Sequence, residues 1–114
     1  MSQITCHVLD TSRGCPAADL KIGLFQQTPD GQWLLLGQRR TNSDGRISDL
    51  LDEGDVLAAG CYRVCFETRD YLRTHDLPVF YPYVDVVFEI NADGQHYHIP
   101  LLLSPYGYST YRGS

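Results

Sequence analysis

The chain has 114 residues, a net charge of −5, eight arginines and a single lysine, a length that fits one domain, 1–114, with a core covering roughly two-thirds of its unfolded surface. With no basic stripe to neutralise phosphates, nucleic acid is excluded as an expected partner, and with no run of about 18 apolar residues a membrane-spanning helix is excluded too. The opening MSQITCHVLD has neither a positive nor an apolar stretch, so the expected location is cytoplasmic and the four cysteines are expected as reduced thiols.

Turn signals at SRG (12–14), PDG (29–31), NSDG (42–45), AAG (58–60) and NADG (91–94) divide the chain into runs of strand length. In chain order they predict strands over 4–10, 20–27, 32–40, weakly 46–50, then 61–68, 83–90, 96–103 and 108–112. The segment TRDYLRTH (68–75), closed off by Pro78, is the one predicted helix. That count and spacing predict an all-β, antiparallel β-sandwich. No internal repeat, low-complexity tract or linker interrupts it.

Alternation sorts these strands by face. Ile4, Cys6 and Val8 form one set and Thr5, His7 and Leu9 the other. Cys61 and Cys65 share a face at about 13 Å, too far apart for a disulfide. Val84, Val86, Phe88 and Ile90 are predicted core. Tyr97, Ile99, Leu101 and Leu103 are also predicted core, which leaves His96, His98, Pro100 and Leu102 on the opposite side.

Two histidines, His7 and His98, therefore emerge on outward faces beside Leu9, Pro100 and Leu102, a half-polar surface of the kind found at a subunit interface around a pocket. Histidine titrates near neutral pH and is the usual side chain for activating water. Arg46 follows the NSDG turn, where a firmly held backbone suits an anion or oxyanion clamp; the bland reading is a solvated surface charge. His96 and His98, with His7 as a third ligand, would also make a zinc site, but histidines two apart on a strand are common without metal. The cysteines read as small buried hydrophobes and the last tyrosines as interface residues. No nucleophile elbow, P-loop, dinucleotide fingerprint or carboxylate pair is present.

HVLD at 7–10, RGCPA at 13–17, NSDGR at 42–46 and above all LLSPYGYSTYRGS at 102–114 resemble the 5-hydroxyisourate hydrolases, the transthyretin-related enzymes of purine degradation. The resemblance runs nearly end to end, and YRGS is the motif that separates these enzymes from transthyretin, the hormone carrier of the same fold. It implies a transthyretin-like sandwich of two four-stranded sheets with one short helix, assembled as a homotetramer, a dimer of dimers around a central channel. It also implies metal-independent hydrolysis of 5-hydroxyisourate to 2-oxo-4-hydroxy-4-carboxy-5-ureidoimidazoline, with no cofactor. The family's functional residues fall on His7, Arg46 and His98, and its terminal tetrapeptide on Tyr111, Arg112, Gly113 and Ser114. The expected roles are water activation by His7 or His98, charge stabilisation by Arg46, and closure of the substrate site by Tyr111, Arg112 and Ser114. The reading from a different class is a small-ligand carrier, whose channel needs no base.

Overall fold

A period of two decides which residues of each strand turn inward, and the layers follow from it. The computed structural model describes residues 2–114. In chain order its elements are β1 (Ile4–Asp10), β2 (Cys15–Pro16), β3 (Lys21–Gln27), β4 (Trp33–Arg40), β5 (Arg46–Ile47), β6 (Gly60–Glu67), α1 (Thr68–Thr74), β7 (Val84–Ile90), β8 (Tyr97–Ser104) and β9 (Gly107–Thr110). The second sheet runs β4-β3-β6-β7 and is antiparallel throughout. The other runs β2-β1-β8-β9, with β5 also paired to β1.

The predicted two-sheet sandwich with one short helix is present, and three details depart from expectation. β1 and β8 run parallel, from Ile4 opposite Tyr97 to Asp10 opposite Leu103. The whole second sheet lies between them in the chain, so no hairpin forces them antiparallel. The first sheet has five strands, because the two-residue β2 and β5 divide one edge of β1 between them. β2 falls in a stretch read as turn and connection; its Pro16 gives no N–H to a ladder and is tolerated only at such an edge. The weak strand expected over 46–50 is confined to Arg46 and Ile47.

Between the sheets lie the predicted inward sets. Ile4 and Val8 of β1 meet Leu101 and Leu103 of β8, and Ile22, Leu24, Tyr62, Val64 and Phe66 face them from the second sheet, all fully buried. Cutting Phe66 to alanine would cost about 3–5 kcal/mol. Helix α1 closes one end with Tyr71 and Leu72. The Tyr71 hydroxyl donates to Asp10 Oδ2 at 2.7 Å, while Oδ1 accepts from Ser12 Oγ at 2.7 Å and from the Arg13 N–H at 3.0 Å. Burial alone would raise the Asp10 carboxyl, but the bonds from Ser12 and Tyr71 outweigh it and hold the group below its usual range. Asp10 thereby pins the end of β1 to the helix. All four cysteines are free thiols.

Candidate active site

Alternation turns Thr5, His7 and Leu9 to the outward face of β1, and strand pairing decides their neighbours. On one side the parallel register sets Thr5 opposite His98 and His7 opposite Pro100. On the other, β5 sets Arg46 opposite His7. β9 sets Thr110 opposite Leu101, and a bridge beyond it sets Gly113 opposite His98, so Tyr111 falls opposite Pro100. Pro100 has no N–H for the ladder, which explains why β9 ends at Thr110 and pairing resumes at Gly113. Two adjacent rows cross the sheet: Arg46, His7, Pro100 and Tyr111, and beside them Thr5, His98 and Gly113.

The turn before β5 is built to lie close. Asn42 Oδ1 accepts the N–H of Asp44 at 2.9 Å and of Arg46 at 3.0 Å, and the Val8 N–H donates to the Gly45 carbonyl at 2.8 Å. Gly45 has φ +73°, and a Cβ there would collide with the Val8 carbonyl oxygen, so both backbone and space require glycine. His7 Nε2 lies 3.0 Å from the Asp44 carbonyl oxygen. A carbonyl only accepts, so Nε2 carries the proton and the free nitrogen of His7 is Nδ1.

His98 is held on three sides. Its Nδ1 is 2.7 Å from Thr5 Oγ1, its backbone carbonyl accepts the Gly113 N–H at 2.9 Å, and its side chain lies so close to Gly113 that a Cβ there would overlap Cδ2. Its free nitrogen is Nε2. Burial first, and then the Arg46 charge, push both His7 and His98 below the usual histidine value, so both are neutral at neutral pH and able to take a proton.

Two adjoining clefts, of about 320 and 310 Å³, share Arg46, His98 and Ser114; the first adds Thr5, Ser48 and His96, the second His7, Pro100 and Tyr111. Five of the six expected site residues, His7, Arg46, His98, Tyr111 and Ser114, thus line one surface. Arg112 does not. Its guanidinium lies 4.4 Å over the Tyr97 ring and donates to Gln95 Oε1 at 3.1 Å, as alternation between Tyr111 and Gly113 requires. It clamps the tail from the other side. Thr5, the Asp44 carbonyl and Ser48 were not singled out from the sequence; for Thr5 the signal was its place two residues from His7.

A larger cavity, about 500 Å³, lies on the outer face of the second sheet around Arg63, Cys65 and Asp85. Arg63 stacks on Phe25 at 4.4 Å and on Trp33 at 4.7 Å, and pairs with Asp85 at 3.8 Å. Burial, followed by a hydrogen bond to Asp85, pushes the Cys65 thiol up to about 12, so it supplies no thiolate. Size alone does not make it the site: its thiol is held protonated, its Asp85 is paired with Arg63, and no histidine lines it.

The chain matches the model of the HIUase/Transthyretin family over residues 4–113. It is 45% identical to mouse 5-hydroxyisourate hydrolase over 114 residues, covering 99% of this chain and 96% of the mouse protein. With 5-hydroxyisourate hydrolase 2 of Rhizobium meliloti it is 47% identical over 116 residues, covering 98% and 96%. The crystal structure of sea bream transthyretin in complex with thyroxine superposes with a TM-score of 0.91 at 33% identity, over 97% of this chain and 94% of that one. Sequence, fold and the paired rows of the outward sheet face lead to one assignment: the chain belongs to the HIUase/Transthyretin family.

Proposed function

We propose that this protein hydrolyses 5-hydroxyisourate to 2-oxo-4-hydroxy-4-carboxy-5-ureidoimidazoline, a step of urate degradation, without metal or cofactor. The observation that carries the reading is the convergence of two neutral histidines and an arginine on adjacent rows of one sheet face. The names of the mouse and Rhizobium meliloti relatives support it. A histidine lone pair takes a proton from water, and the water oxygen adds to the lactam carbonyl carbon. Arg46 offsets the charge that develops on the carbonyl oxygen. The ring carbon–nitrogen bond then breaks, and the proton held by the histidine passes to the leaving nitrogen. Tyr111 and Ser114 wall the cleft around the planar heterocycle, while Arg112 fixes the tail that carries them.

The working form is a homotetramer, a dimer of dimers, in the cytoplasm. What supports the assembly is that the clefts of one chain lie open along a sheet face and that the outermost strands β7 and β9 expose Val87 and Tyr108. Light scattering should give four times the 12.9 kDa chain mass; a monomer at micromolar concentration would remove this part of the reading. A carrier in the manner of transthyretin is not favoured, because such a site needs shape and apolar contact but no titratable base. The deciding assay adds purified protein to freshly generated 5-hydroxyisourate. Disappearance faster than the uncatalysed decay supports the hydrolase, and an unchanged rate refutes it.

A further inference from the structure

Thr5 belongs to the outward face of β1, yet only 6% of it is exposed, because the rings of His96 and His98 close over its hydroxyl. Oγ1 lies 2.7 Å from His98 Nδ1 and 2.9 Å from His96 Nε2, and the two rings lie near parallel, 24° apart, with centroids 6.3 Å apart. A hydroxyl has one proton. It donates to one of these nitrogens and accepts an N–H from the other, so the three groups form a chain of hydrogen bonds that can run in either direction.

The directions differ at the nitrogen the reaction would use. Running from His98 to His96, the chain puts the imidazole hydrogen on His98 Nδ1 and leaves an Nε2 lone pair toward the clefts. In the reverse direction Nε2 carries the hydrogen and has no pair with which to take a proton from water. Arg46 lines both clefts together with His98, and a positive charge favours a lone pair over an N–H on the nitrogen facing it. His96 is exposed, so water satisfies its other nitrogen whichever way it is protonated, and accepting from Thr5 costs it little.

We propose that Thr5 is a positioning residue that holds His98 in its Nδ1–H form and so makes His98, not His7, the base that takes the proton from water. The proposal rests on the hydrolase reading above. As His98 accepts a proton at Nε2, Nδ1–H keeps its bond to Oγ1, and nothing has to reorganise as charge develops. His7 has its Nε2–H committed to the Asp44 carbonyl. Only Nδ1 is left to it, the nitrogen nearer its own backbone and with less reach into the cleft.

The test has two arms. Nitrogen-15 spectra of the intact protein, above the histidine titration, report the tautomer directly. His98 should show a protonated Nδ1 and a bare Nε2, and the opposite pattern overturns the proposal without any variant. In the second arm, Thr5→Val keeps the side-chain size and removes the hydroxyl, and should lower kcat by about 10–100-fold, the range of other groups that orient a functional imidazole, with KM little changed. Thr5→Ser restores the hydroxyl and should recover most of the loss. Wild-type kcat in Thr5→Val, or equal loss in Thr5→Ser, means that Thr5 acts through packing or not at all. Should Thr5→Val not fold, the tautomer measurement and the Thr5→Ser rate still decide the matter. A wild-type protein that leaves 5-hydroxyisourate to its uncatalysed decay defeats the hydrolase reading instead, a result separate from the tautomer.

Discussion

Replacing Gly113 with alanine tests whether the tail positions the site. A Cβ at residue 113 would overlap His98 Cδ2 and lie 3.1 Å from Cγ and 3.3 Å from Cβ of the same side chain, against a comfortable separation of about 3.5–4.0 Å between carbons. Either the ring turns or the tail lifts. Forcing an extra carbon into a packed contact costs about 1–3 kcal/mol. The tail is held there by the Gly113 to His98 backbone bond and by Arg112 on Tyr97 and Gln95, each contact worth about 0.5–1.5 kcal/mol. Strain and anchorage are comparable, so the His98 ring and Ser114 shift while the sandwich core, which ends at β9, is untouched. A misplacement near 1 Å at a reacting group costs about 100-fold in rate. Gly113→Ala should therefore lose about two orders of magnitude in kcat/KM for 5-hydroxyisourate while its melting temperature stays close to wild type. Gly107→Ala is the control, since a Cβ there meets only Ser104 Oγ at 3.8 Å, and it should stay within about twofold. A Gly113→Ala protein with wild-type kcat/KM would show that the contact between tail and His98 has no part in catalysis.

Separate alanine substitutions of His7, Arg46 and His98 should each lower kcat/KM by about 100-fold or more, with monomer stability changed by no more than about 1 kcal/mol, because all three side chains lie outside the core; His96→Ala should be mild, and equal damage there would revive the zinc reading. The acid limb of kcat/KM should fall below about pH 6.5, the ordinary histidine value, since burial and then Arg46 lower both His7 and His98; a limb above that value contradicts the assignment. Stability follows the same sign: the unfolded chain binds the extra protons first, so stability declines as pH drops below the unfolded value and levels off below the folded ones, which melts between pH 7.5 and 5 would measure. Activity should survive EDTA; loss restored by zinc would overturn the metal-free chemistry.

Much of this protein is written locally. Alternation in 4–10 and 96–103 separates Ile4, Val8, Ile99 and Leu101 from His7 and His98, because successive side chains of a strand point to opposite faces whatever the strand pairs with. The turn at 42–45 is equally legible, since Asn42 and Gly45 supply an acceptor side chain and a positive φ within four residues. Periodicity names a face but not a neighbour. That Thr5 lies beside His98, that Arg46 lies beside His7 and that Gly113 underlies a ring were decided by registers joining positions up to 93 residues apart. Such registers come from closing the whole sandwich around one core, and no short window contains them. The same holds for the parallel run of β1 with β8. Arg112 shows the limit within a single motif: it stands between Tyr111 and Gly113, yet alternation turns it to Tyr97, so adjacency in the chain put it on the side of the tail that the clefts do not use.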